Sequence, residues 1–265
     1  MYDFEYKKPN SLKAACEALT EDDAAKLIAG GMTLLPTMKL RLAMPASLID
    51  VTAIPELSGI EVRGDTLTIG AATSHAGVAA SGLVADFCPA LAHLAAGIGD
   101  PQVRNRGTIG GSLANCDPAA DYPAAVLGLD ATLVTDRREI PADDFFLGMF
   151  ETALAADEVL CAVRFPRWQR AGYAKFPNPA SRYAIVGVLV AADDRHVRVA
   201  VTGAAPAVFR HAAMEAALSA EFAAAATRTV AIDGSEFNDD LHASAEYRAS
   251  LVSVMAAKAV MAAGG

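Results

Sequence analysis

Two pairs of consecutive glycines stand where this chain passes from extended to helical structure. One lies in "AGGMTLLP" (residues 29–36) and the other in "RNRGTIGGSLANCDPAADYPA" (residues 104–124). Glycine reaches positive φ and lets another backbone or a ligand come close. Successive amides in such a turn can converge on an anion, and a helix that starts just after adds its own free donors. In the first segment a short apolar strand runs into Gly30-Gly31, and Thr33 can cap a helix or bond a phosphate oxygen. In the second, Thr108 and Ile109 lead into Gly110-Gly111 and Ser112, with Asn115 and an Asp-Pro turn beyond. Asp121 would be repelled by a diphosphate but suits a ribose or ribityl hydroxyl. A ligand carrying both a diphosphate and a polyol fits this pairing. Each segment alone also reads as a tight turn with no ligand.

Other phosphate motifs fail. No G-x-x-x-x-G-K-[ST] occurs, and "GIGDPQ" lacks the third glycine of a Rossmann fingerprint and follows no strand. The net charge is −9 with no cluster of Lys and Arg, which argues against nucleic acid. An anionic ligand must then be held by backbone donors rather than by a basic surface. The four cysteines are far apart with no CxxC, so they read as small buried hydrophobes rather than metal ligands. His75 and His93 have no evident partner for a metal or a catalytic triad, and no residue stands out as a nucleophile or acid–base pair. No apolar run reaches the length of a membrane span, and "MYDFEYKKPN" lacks a signal core, which points to the cytoplasm.

Periodicity divides the chain into three blocks. Residues 1–54 read as strand, helix, strand, helix, strand, with Asn10 or Ser11 capping the first helix and Pro36 in the first turn of the second. Residues 55–166 open on a hairpin around Arg63-Gly64-Asp65, pass through a helix at "PALAHLAAGIG" and the second glycine segment, and end on "ATLVT" and "EVLCAVRFP" as strands. Residues 167–265 hold "YAKF", then "YAIVGVLVAA" and "HVRVAVTGAA" as a hairpin, and then helices. The last of these runs from about Ser244 to Ala262, with Leu251, Val254, Lys258 and Met261 on one face.

The chain resembles the FAD-binding medium subunits of molybdenum hydroxylases, of the carbon monoxide dehydrogenase and xanthine dehydrogenase type. The resemblance rests on "AGGMTLLPTMKLRL", "GDPQVRNRGTIGGSLANCDPAADYPAAVLGLDA", "YAKFPNPASRYAIVGV" and "LHASAEYRASLV", in the family's order over essentially the whole length. It implies an α+β chain with the FAD-binding fold of the vanillyl-alcohol oxidase (PCMH) type. Two α/β subdomains grip FAD, and a C-terminal domain of a small antiparallel sheet and helices covers the flavin end. By the same resemblance, Ala29, Gly30, Gly31, Met32 and Thr33 wrap one side of the diphosphate, and Thr108, Gly110, Gly111 and Ser112 the other. Asn115 and Asp121 continue along the cofactor, Asp121 at the ribityl hydroxyls. Thr73 and Ile98 are further contact positions, Lys175 lies near the flavin ring, and Tyr183 covers it. Met32 departs from the polar residue common there, so it contributes its backbone. Asn178 and Arg182 depart from the family pattern too, Arg182 standing where Gly or Asp is common. The inserted cysteine-rich loop that carries an extra iron–sulfur cluster in one branch is missing.

The resemblance further implies an electron-transfer subunit. A large partner carries the molybdenum cofactor, and a small partner carries two [2Fe–2S] clusters. FAD in this chain passes electrons to an external acceptor, and the assembly is a dimer of heterotrimers. The competing expectation is a self-sufficient FAD-dependent oxidase or reductase of the same fold.

Overall fold

A computed structural model describes residues 1–265. The chain opens with β1 (Glu5–Lys7), α1 (Leu12–Thr20), β2 (Ala25–Ile28), α2 (Leu34–Lys39) and β3 (Ser47–Asp50). The strands form a parallel sheet in the order β1-β3-β2, each crossover made by a helix. Ser11 starts α1 by accepting from the Ala14 amide, and Ala15 and Leu19 bury in one core with Ile49 and Val51. Pro36 is the third residue of α2, where its missing N–H forfeits no intrahelical bond.

The next part begins with the hairpin β4 (Ile60–Arg63) and β5 (Thr66–Gly70). Six short helices follow: α3 (His75–Ala80), α4 (Gly82–Phe87), α5 (Pro89–Ala96), α6 (Pro101–Arg106), α7 (Ile109–Asn115) and α8 (Tyr122–Gly128). Then come β6 (Thr132–Thr135), β7 (Glu139–Pro141), the small hairpin β8 (Phe146–Gly148) and β9 (Glu151–Thr152), and β10 (Leu160–Pro166). The main sheet is antiparallel, in the order β4-β5-β10-β6-β7. Its core gathers Ile69, Leu91, Tyr122, Val163 and Phe165.

The last part is an antiparallel sheet of β11 (Arg170–Pro177), β12 (Ala184–Ala192), β13 (Val197–Thr202) and β14 (Phe209–Arg210), with α9 (Ala212–Ala220), α10 (Ala224–Thr227) and α11 (Ala245–Ala262). Every residue of β12 is buried because the strand is covered on both faces. Val186, Val188 and Val190 join Val252, Met255 and Ala256 of α11, while Leu189 and Ala191 share a core with Ala124 and Ala125 of α8. That double burial explains the unbroken apolar run in its sequence.

One expectation needs correction. The face expected to bury on α11 is not the one that does. Leu251 is buried, but Val254 and Met261 are 48% and 54% exposed and Lys258 is exposed too. Val252, Met255, Ala256, Ala259 and Val260 do the packing. Alanines supply much of that face, and their weak hydropathy hides it from a periodicity count. The second glycine pair stands, as expected, where the chain enters a helix. It forms the first turn of α7, capped by Thr108, whose hydroxyl accepts from the Gly111 amide at 3.1 Å.

Candidate cofactor site

The two glycine segments meet. Chain from the end of β2 turns at Ala29–Thr33, with Gly31 at φ +71°. A Cβ on Gly30 would stand 2.0 Å from the Arg106 carbonyl oxygen, so glycine is required there by the neighbouring backbone. One on Gly110 would stand 2.4 Å from the Ala71 Cβ, which places α7 hard against the residue following β5. Both close approaches are therefore made by the chain itself. Gly111 faces outward beside Ala29.

The amides of these turns differ. Those of Gly30, Gly31, Met32 and Thr33 donate to no carbonyl of the chain. At the second turn Ile109 donates to Thr73 O at 3.1 Å, Gly110 to Ala71 O at 2.9 Å and Ser112 to Thr108 O at 3.0 Å. Together with the Thr108 cap of Gly111, these bonds occupy the donors at the start of α7. What remains open there is the side chains of Ser112 and Asn115.

A cleft of about 640 Å³ runs between the turns. Ala29, Gly30, Gly31, Met32, Thr33, Ile98, Thr108, Gly110, Gly111, Ser112, Asn115, Asp121 and Tyr183 all line it. Thr73 and Lys175 do not line it. The Thr73 hydroxyl exchanges hydrogen bonds with the backbone of Gly59. Lys175 is turned inward, its side chain 9% exposed.

Lys175 Nζ donates to Gly97 O at 2.9 Å, to Arg182 O at 3.0 Å and to the Asp121 carboxylate, whose Oδ1 lies 2.8 Å away. Tyr173 Oη donates to the same oxygen at 2.6 Å. Asp121 is thus an anchored buried carboxylate with part of its acceptor capacity in use. Burial pushes its carboxyl up, against Lys175 and Tyr173, which hold it down. Burial also lifts the Tyr173 phenol far above its ordinary range, with the Asp121 charge adding to the effect.

Sequence reasoning left other lining residues unassigned. His75 is buried against Tyr122, ring centroids 5.3 Å apart, and its Nδ1 has no partner. Burial, with the Arg104 charge second, lowers its pKa to about 4, so the imidazole is neutral. Asp117 lies on the wall, its carboxyl raised by burial. Thr152, Leu154, Val159 and Phe150 close the far side. These come from chain distant from either glycine pair, and no local motif marks them. Asn178 builds the turn that carries Tyr183. Its Oδ1 accepts from the amides of Ala180 (2.9 Å) and Ser181 (3.2 Å), and its own amide donates to Tyr183 O at 2.8 Å. Arg182 sits at φ +63° within that turn, a conformation that favours glycine.

This geometry matches known proteins. The model of the FAD-binding domain in molybdopterin dehydrogenase matches residues 2–168. The chain belongs to that family. It is an FAD-binding medium subunit of the molybdenum hydroxylase type, and so an oxidoreductase subunit. The nicotine 6-hydroxylase medium subunit of Paenarthrobacter nicotinovorans is 39% identical, over 98% of this chain and 96% of that protein. The carbon monoxide dehydrogenase medium chain of Hydrogenophaga pseudoflava is 38% identical over the same shares, 98% and 96%. A solved structure of carbon monoxide dehydrogenase from Hydrogenophaga pseudoflava, lacking the Mo-pyranopterin moiety, superposes with a TM-score of 0.92. It is 40% identical and covers 99% of this chain and 98% of that one.

The residues present fit FAD. Four consecutive unpaired amides suit a diphosphate, the hydroxyl and amide side chains of Ser112 and Asn115 suit its neighbours, and a cleft with Tyr183 in its wall suits a flat ring. No helix of the chain is long and apolar enough to cross a membrane.

Proposed function

We propose that this FAD-binding subunit relays electrons within a heteromeric molybdenum hydroxylase. It would take them from [2Fe–2S] clusters of a small partner, reduced in turn by a molybdenum centre on a large partner, and deliver them to an external acceptor. The observation that carries this reading is the row of amides from Gly30 to Thr33, bonded to no carbonyl of the chain, in the wall of a cleft that Ser112 also lines. These groups would hold the diphosphate, with Thr33 and Asn115 as further polar contacts. Tyr183 would cover the flavin end. Lys175 would act from behind the wall, pairing with Asp121 in it and tying the ends of α5 and the 178–183 turn to the start of α8. Bound there, the cofactor supplies reversible electron transfer, and the protein supplies position, electrostatics and exclusion of water.

The division of labour follows the three sheets: residues 1–54 and 55–166 would grip the nucleotide, and 167–265 would close over the ring. Named relatives are medium chains of nicotine and carbon monoxide enzymes, and the proposed partners extend that arrangement to this chain. A dimer of such heterotrimers, in the cytoplasm, is part of the proposal.

The test is purification of the chain from its native host by an affinity tag. Stoichiometric FAD, with a large molybdenum-containing and a small iron–sulfur chain, is the expected result. A colourless protein would sink the cofactor reading. A yellow protein that purifies alone and turns over a substrate of its own would favour the self-sufficient enzyme.

A further inference from the structure

Tyr173 and Lys175 stand two residues apart on β11, so both side chains point to one face of the sheet. On the neighbouring strand β12, Gly187 lies opposite Lys175. A Cβ on Gly187 would stand 2.5 Å from Tyr173 Oη, so the bare glycine leaves the room that the phenol fills. The hydroxyl then meets Asp121 Oδ1 at 2.6 Å, fifty-two residues away in the chain. Both residues are buried, but Asp121 lines the cofactor cleft and Tyr173 does not. Tyr173 therefore reaches the contents of the cleft only through Asp121.

The groups around Asp121 decide what that contact does. Lys175 is the cation that acts on it, but its N–H groups are shared among Asp121, Gly97 O and Arg182 O. The other titratable neighbours do not hold the charge. Tyr122, next in the chain, is pushed up by burial and by the Asp121 charge, and its hydroxyl has no partner. Asp117 and Tyr183 share the cleft wall; the first is a second carboxyl, and the phenol of the other is raised by burial and by both carboxylates. His75, against Tyr122, is neutral. Tyr173 is the remaining donor, a phenol kept neutral by its burial and committed to one carboxylate oxygen. The rest of the carboxylate's acceptor capacity is left for the cleft.

We propose that Tyr173 is a positioning residue of the cofactor site, its hydroxyl fixing the Asp121 side chain and keeping it an ionised acceptor for a cofactor hydroxyl. A hydrogen bond given to the charged form favours that form. Without it, the pH at which Asp121 takes up a proton rises by about one to two pH units. A protonated Asp121 turns one acceptor oxygen into a donor and leaves Lys175 without its counter-charge, and both changes oppose a ligand that offers a hydroxyl there. Gly187 belongs to the same device, because any side chain on it would displace the phenol. The inference rests on the reading that FAD lies beside Asp121 and on no step of the electron relay.

The test pairs two measurements on the full chain from about pH 5 to about pH 8. Carbon-13 NMR of the aspartate carboxyls without FAD reads the protonation of Asp121 directly, with Asp121→Asn to assign its resonance. Fluorescence titration reads the affinity for FAD. In Tyr173→Phe the Asp121 resonance should titrate about one to two pH units higher than in the natural chain. At the alkaline end this variant should bind FAD within about threefold of the natural chain, and its affinity should fall roughly tenfold or more as the pH drops through the new midpoint. Gly187→Ala, which crowds the same hydroxyl from β12, should shift both readouts in the same direction and serves if Tyr173→Phe does not fold. An unmoved carboxyl, with FAD weakened by one factor at every pH, makes Tyr173 a packing residue and overturns the proposal. A carboxyl that moves while FAD affinity stays flat with pH overturns it too, because Asp121 then meets no cofactor hydroxyl. If the natural chain takes up no FAD, the cofactor reading of the cleft fails, while the carboxyl resonance still judges the coupling of Tyr173 to Asp121.

Discussion

The two glycine turns look alike in sequence and work differently in the fold. At Gly30-Gly31 the chain leaves a parallel strand, and its amides point at no carbonyl of the protein. At Gly110-Gly111 the chain enters α7, and the amides are taken by Thr73, Ala71 and Thr108. The first turn is a donor surface. The second is a packing device that brings a helix against Ala71 and presents Ser112. A double glycine therefore reports close approach, and only the hydrogen-bond account tells what is approached.

The sharpest way to break this comparison is to add one methyl group to each turn. Gly30→Ala meets the Arg106 carbonyl and Gly110→Ala meets Ala71, so each should cost about 3 kcal/mol of stability by overpacking, seen as a fall in the midpoint of thermal unfolding. The two should part in the cofactor. The folded fraction of Gly30→Ala should lose FAD, while that of Gly110→Ala should keep it. Equal loss of FAD would make the turns equivalent donors.

The next largest effect concerns His75, buried beneath the second turn with Gly107 against its ring. Its pKa is about 4 in the fold and 6.5 when free, so between those values the unfolded chain binds the proton first. Stability falls as pH drops from 6.5 towards 4, by up to about 3 kcal/mol. Denaturant unfolding across this range should show a flatter acid limb for His75→Gln. An unchanged limb would mean that His75 is protonated in the fold.

Thr108→Val should cost about 1 kcal/mol by removing the cap of Gly111, with little change in FAD affinity. Ser112→Ala should do the reverse, weakening FAD by roughly two- to tenfold with stability held, as loss of one hydrogen bond predicts. Fluorescence titration with FAD, paired with urea unfolding, separates the two. Should Thr108→Val lose FAD as strongly as Ser112→Ala, the second turn is a donor surface after all.

Much of this was legible before the fold. The strand–helix alternation of residues 5–50, the hairpin at Arg63-Gly64-Asp65 and the start of α11 at Ser244 follow from local chemistry: periodicity, turn residues and a capping hydroxyl. Thirteen of the fifteen expected site residues line one cleft, because turn motifs sit where the chain changes direction. Lys175 was less legible, since nothing local says whether a strand lysine points to solvent or to a carboxylate fifty-four residues away. The packing face of α11 escaped for a different reason. Alanine fits a buried and an exposed face equally well until a partner strand is laid against it.

The sequence by itself determined where the chain turns, which segments extend or coil, and which residues are small enough for close approach. These depend on bonds within a few residues. Tertiary structure alone decided that the second pair opens a helix while the first offers free amides, that Lys175 pairs with Asp121, and that Tyr183 joins Asp121 at one cleft. Each of these depends on which distant group arrives as a partner. A donor's availability is a property of its surroundings and not of its residue type.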